Sequence, residues 1–174
     1  QQIAVQQSAS GKDIVTPVEY DAFGRQIKDY LPYASSQSSA GYINPATLVT
    51  SLTAQYQANY GATNDNPYSR KELESSPLNR VLKQAAPGDD WRLNGGHEIK
   101  FEYQSNTASE VINFGVSLTF ADNTYTPTLT KSNLNNGFYA ENQLYKTITY
   151  DENTAAAPLE GDGSTVEFKN KEGQ

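Results

Sequence analysis

The segment Tyr20-Asp21-Ala22-Phe23-Gly24-Arg25 constrains this chain most, because it prescribes a reversal of direction. Val18 and Tyr20 alternate with Glu19, as on a half-buried strand. The Asp21 side chain can accept a hydrogen bond from the backbone two residues on, and Gly24 takes a positive φ without steric cost. Arg25 then opens a run to Tyr30 that reads as the returning strand. Weaker echoes lie at residues 101–106, 148–153 and 167–173. A different echo, Pro77-Leu78-Asn79-Arg80, aligns with Ala22-Phe23-Gly24-Arg25. There Asn79 replaces Gly24, and Asn is among the residues that best tolerate positive φ. Arg80 matches Arg25. Repetition of turn chemistry, rather than of reactive groups, specifies a frame.

The surrounding sequence supplies β structure for such turns to join. Ile3-Ala4-Val5 and Ile14-Val15-Thr16 flank Ser10-Gly11-Lys12, a hairpin signal. Ile99, Phe101 and Tyr103 alternate with Lys100 and Glu102. Phe114, Val116, Leu118 and Phe120 form a second alternating run, with a register shift expected near Asn113. Residues 124–129 are β-prone but interrupted by Pro127, which cannot donate to a ladder. Residues 144–150 and 165–169 read as further strands. One stretch differs: Asn44 is a good N-cap, Pro45 suits the first helical position, and Gly61 suits the stop. Leu48, Leu52, Tyr56 and Tyr60 recur between them at four-residue spacing, giving a narrow apolar stripe. The fold expected is therefore mainly β, antiparallel hairpins or sheet of repeated-hairpin or β-sandwich-like form, with one α-helix near residues 45–60. Residues 1–174 are expected to form a single β-rich module.

Twelve Tyr among 174 residues, with an apolar fraction of 36%, suit sheets wet on one side better than a thick helical core. A net charge of −7 argues against nonspecific nucleic-acid binding and against anionic membrane surfaces. No run approaches the ~18 apolar residues of a membrane span. With no cysteine, disulfides, thiolate catalysis and cysteine zinc sites are excluded. The chain starts at Gln1, contains no Met, and ends on Lys171-Glu172-Gly173-Gln174, a turn that asks for another strand. The expectation is a piece of a longer polypeptide.

Candidates for chemistry are few. His97 is the only histidine, and its setting, Gly95-Gly96-His97-Glu98, reads as a turn entering a strand. No Gly-x-Ser-x-Gly elbow accompanies it. Asp89-Asp90, or Asp151-Glu152 with Glu141, supply paired acids, but neighbouring loop carboxylates normally point apart into water. Asn64-Asp65-Asn66 and Glu160-Gly161-Asp162-Gly163 offer oxygen ligands for calcium without the spaced acids of an EF-hand. No cofactor and no catalytic residue is assigned, and the expectation is a protein that is not an enzyme. Trp91, with Tyr103, Tyr125, Tyr139 and Tyr145, offers a surface for stacking sugars, against the simpler reading that these rings cap sheet faces.

Tyr20-Asp21-Ala22-Phe23-Gly24-Arg25 resembles the core of a YD repeat of the Rhs type, and Tyr150-Asp151 with the turn at residues 165–173 resembles another. The chain as a whole is similar to the module found toward the N-terminus of Rhs-repeat proteins from Bacteroidetes. Stretches like residues 13–25 and Glu74-Ser75-Ser76-Pro77-Leu78-Asn79-Arg80, the latter followed by Pro87-Gly88 and Trp91, occur there in that order. The resemblance implies a very large exported or cell-surface protein whose repeats wind into a β-sheet shell, often around a C-terminal toxin or effector. Tyr20, Asp21, Gly24, Arg25, Pro77, Asn79, Arg80, Tyr150 and Asp151 would be its structural signature. Sparse repeats, a helix and the lack of an Asp-Pro-rich self-cleavage segment depart from the shell core of that family, and the expectation is an accessory or capping module. Its expected partner is the remainder of its own polypeptide, with secretion machinery or a surface glycan as further candidates. The alternative is a glycan-binding or adhesion module of a bacterial surface protein, with Trp91 as the stacking residue.

Overall fold

A computed structural model describes residues 1–174 and shows a mainly β protein, with eleven strands in antiparallel sheets and one α-helix. The chain divides into two compact units, Gln1–Phe101 with Tyr150–Gly163, and Glu102–Thr149 with Ser164–Gln174.

The first unit opens with β1 (Gln2–Ala4) and β2 (Ile14–Thr16), paired so that Ile3 faces Val15, as the hairpin signal required. Next come β3 (Lys28–Tyr30) and β4 (Tyr33–Ala34), the latter completing a sheet of order β1-β2-β4. Helix α1 (Pro45–Tyr60) follows, with Asn44 capping it by accepting the Ala46 N–H at 3.0 Å. At its other end the Gly61 N–H donates to the Gln57 carbonyl at 2.9 Å. Leu48 and Leu52 are buried against Val15, Tyr30 and Tyr33, so the first two turns of the stripe make the core. Tyr56 and Tyr60 leave it and stack on each other at 4.7 Å, with Tyr60 exposed. The helix also closes an edge. The Gln55 side-chain amide accepts from the Ala34 N–H at 3.1 Å and donates to the Ala34 carbonyl at 3.2 Å, as a neighbouring strand would.

Strands β5 (Tyr68–Leu73), β6 (Val81–Ala85) and the start of β7 (Ile99–Ser105) add the order β7-β6-β5-β3. Here one sequence expectation fails. Residues 18–20 do not pair with the run after Arg25 as a strand; β3 pairs with β5 instead, Tyr30 opposite Tyr68. Side chains bridge what the backbone does not: the Glu19 carboxylate accepts from Lys28 Nζ at 3.1 Å and from the Tyr30 hydroxyl at 2.6 Å. The alternation along β7 also turns its polar side inward at one place. Lys100 is buried, and its ammonium donates to the Thr154 carbonyl at 3.2 Å, which offsets its desolvation.

The second unit takes up β7 and adds β8 (Phe114–Ala121), β9 (Thr124–Lys131), β10 (Tyr145–Tyr150) and β11 (Ser164–Lys169). Its sheet runs β11-β10-β7. Strands β8 and β9 form a separate ribbon, joined by Asp122-Asn123, both left-handed at φ 50° and 57°. That is the turn whose twist suits a two-residue hairpin. Pro127 does not end β9; it faces Leu118. Counting outward from the hydrogen-bonded pair Ala121–Thr124, the Leu118–Pro127 pair is a non-hydrogen-bonded one, so the missing N–H falls on the free edge. Asn106 holds the base of the unit. It is buried, its Oδ1 accepts from the N–H of Gln143 and Leu144 at 2.9 and 2.7 Å, and its Nδ2 donates to the Ala140 carbonyl at 2.8 Å. Buried Lys146 meets Glu110 at 2.6 Å. No helix in the molecule is long and apolar enough to cross a membrane.

Candidate functional site

The residues singled out by sequence form closed turns. Around Asp21, the Gly24 N–H donates to the Asp21 carbonyl at 3.0 Å and the Asp21 N–H donates to the Arg25 carbonyl at 2.9 Å. Asp21 Oδ1 accepts from the N–H of Phe23 and of Arg25, each at 2.9 Å, while Oδ2 accepts from Arg25 Nε at 2.7 Å. Gly24 stands at φ 75°. This is a type I turn followed by a left-handed residue, a known three-residue hairpin loop. The Arg25 N–H bond, helped by the guanidinium, holds the Asp21 carboxyl below the usual carboxylate range.

The same bonds recur in the second unit. The Gly173 N–H reaches the Asn170 carbonyl at 3.0 Å, and the Asn170 N–H reaches the Gln174 carbonyl at 2.9 Å. Asn170 Oδ1 accepts from the N–H of Glu172 and Gln174 at 3.0 and 2.9 Å, and Gly173 has φ 83°. A shorter-armed version closes the β1–β2 hairpin, where Ser8 Oγ accepts the Lys12 N–H at 2.7 Å and Gly11 has φ 70°. Sequence reading placed that turn at residues 10–12 and missed that Ser8 is the Asp21 equivalent.

The echo at residues 74–80 divides the work of Asp21 between two side chains. Ser76 Oγ accepts the Leu78 N–H at 3.2 Å, and Pro77 presets its own φ at the second turn position. The Glu74 carboxylate accepts from Arg80 Nε at 3.0 Å and Nη2 at 2.8 Å, and also from the Arg80 N–H at 3.2 Å. This forked pairing pulls the Glu74 carboxyl down to about 2. Asn79 carries the left-handed conformation at φ 53°, as aligned. Beyond what the sequence indicated, the two turns touch: Arg25 Nη1 donates to Asn79 Oδ1 at 2.6 Å.

Tyr150 and Asp151 follow the pattern less closely. Tyr150 is buried where Tyr20 is 64% exposed. Asp151 Oδ1 accepts the Asn153 N–H at 2.9 Å, but Thr154 stands where a closing Gly would be.

Trp91 belongs to the first unit and Tyr103, Tyr125, Tyr139 and Tyr145 to the second. Trp91 is 40% exposed, packs against the His97 ring at 5.1 Å, and borders a cleft of about 300 Å³ with Pro87, Ile99 and Glu152. The loops offered for calcium use their oxygens within the protein. Asn64 Oδ1 accepts the Asp89 N–H at 2.8 Å, and Asp162 Oδ2 accepts the Leu159 N–H at 3.1 Å. Of the paired acids, Asp89 meets the Arg92 guanidinium, while Asp90 is exposed. No three His, Asp or Glu side chains gather in a way suited to a metal ion.

No curated protein and no solved structure matches the chain. Residues 1–105, which hold the whole Asp21–Asn79 turn assembly and α1, match the model of the family described as a domain of unknown function, DUF6443. That span is more than half of the 174 residues, and the chain belongs to this family.

Proposed function

We propose that this protein is a noncatalytic structural module of an exported Rhs/YD-repeat protein, packing on or capping its β-repeat shell, which in turn carries a toxin or effector. One observation carries the reading. The four hydrogen bonds from backbone N–H groups that close the turn at Asp21–Arg25 recur at Asn170–Gln174, with the Gly in the same left-handed place. Carboxylates and guanidinium groups near these turns are consumed in fixing backbone corners, and Arg25 ties one corner to the next through Asn79. Groups committed in this way shape a surface for neighbouring β strands to continue. Open edges for such continuation include β3 in the first unit and β11 in the second. Hydrogen exchange tests this directly, comparing the isolated chain with the same residues in the full-length gene product. The expected outcome is slower exchange at β3 or β11 in the longer protein; equal rates at both would overturn the proposal.

A second reading rests on Trp91, half exposed at the mouth of its cleft beside His97 and Glu152. An indole face next to polar groups suits stacking of a sugar ring. A glycan array with the chain, repeated with Trp91→Ala, decides it: a hit lost in the variant supports a glycan-binding module, and no hit removes the idea.

A further inference from the structure

The β8–β9 ribbon separates its residues by chemistry with unusual completeness. Side chains alternate along each strand, and the register places Phe114, Val116, Leu118 and Phe120 on the same face as Tyr125 and Leu129. The opposite face holds only Gly, Ala, Ser and Thr. Nothing in its own unit covers the apolar face: the six side chains just named are 58–68% exposed, and Phe120 and Tyr125 touch side by side, at 4.8 Å. Two-stranded ribbons are marginal alone in water and need a covered face. An apolar patch this large on a soluble protein marks an interaction surface.

We propose that this face is the contact between two copies of the chain, packed ribbon against ribbon in antiparallel orientation about a two-fold axis. The size of the face suits such a contact. Six side chains with about 100 Å² each on offer, plus exposed Pro127, present about 700 Å² per copy, close to the ~800 Å² a side of a stable interface. A flat face of aromatic and branched residues is also self-complementary, as an isologous contact demands. Charge supplies the orientation. The face is uncharged except for Lys131 at its open end, and Asp122 lies at the tip. Antiparallel stacking brings the Asp122 of each copy to the Lys131 of the other; parallel stacking would set like charges together. Lys131 already lies over the Phe138 ring at 4.0 Å, which holds its ammonium near that end.

Sedimentation equilibrium of the 174-residue chain should show a species of twice 19.1 kDa that dissociates on dilution. The pair Leu118→Thr with Phe120→Thr, at exposed positions, should weaken that association at least tenfold, whereas Thr126→Ser on the opposite face should leave it unchanged. A zero-length carbodiimide cross-link between Asp122 and Lys131 is the orientation test. Within one copy these residues are ~25 Å apart at ~3.3 Å per residue, so such a link can form only between copies. Mixed heavy- and light-isotope chains should yield it as a hybrid peptide. A chain that stays monomeric at several hundred micromolar overturns the proposal. So does a dimer indifferent to the double substitution, a dimer without the Asp122–Lys131 link, or a monomer that binds phosphatidylcholine vesicles through this face.

Discussion

Gly24 shows how much a single backbone conformation governs here. A Cβ at this position would touch nothing within 4 Å, so crowding is not the constraint; the φ of 75° is. Gly24→Val places a β-branched side chain in the left-handed region and should cost about 1–3 kcal/mol. Gly24→Asn should cost well under that, because Asn79 already fills the aligned position at φ 53°. Chemical denaturation of the two variants measures the difference, and equal stability would refute the turn assignment. Asp21, Gly24 and Asn79 were legible from sequence because their bonds are local and their residue types are restricted. Asn106 was not. Its four partners lie between one and 38 positions away, and no local pattern marks an amide whose bonds are mostly distant. The Arg25–Asn79 bond was hidden for the same reason: it spans 54 residues.

Among the elements, α1 was the most legible, with cap, first-turn Pro and stop where the sequence placed them. Its stripe was read as four residues deep, yet only Leu48 and Leu52 reach the core, while Tyr56 and Tyr60 turn to each other. Leu52→Ala removes a side chain only 2% exposed and should cost about 2–5 kcal/mol, read by urea melts. Tyr60→Ala, at the exposed end of the same stripe, should cost under about 1 kcal/mol. If the two variants melt alike, the core does not sit under the first turns. Strand β9 was misjudged at Pro127 because the sequence does not say which side of a ladder a residue faces, and on an outer edge a missing donor costs nothing. Strand β3 was given the wrong neighbour because Glu19 satisfies its partners with a side chain, a solution invisible to any periodicity.

At the scale of the molecule, depressed carboxyls set the response to acid. Arg80 lowers Glu74 to about 2, the Arg25 N–H lowers Asp21, the Tyr30 hydroxyl and then Lys28 lower Glu19, and Lys146 lowers Glu110. Each binds its proton more weakly folded than unfolded, so its stabilising effect is complete above about pH 4.5 and drains as the pH falls toward 2. Melting temperature should therefore be level from pH 5 to 7 and fall below, gently because these carboxylates lie near the surface, where water screens them. Glu74→Gln, which cannot titrate, should flatten the lowest part of that fall; circular dichroism melts at stepped pH measure both, and a profile level down to pH 2 would contradict the pairing. Because Gln55 spends its amide as a surrogate rung on Ala34, the three-stranded sheet is sealed on its β4 flank. Any lateral extension of that sheet must proceed in one direction only, beside β1, which makes the helix a terminator as well as a lid.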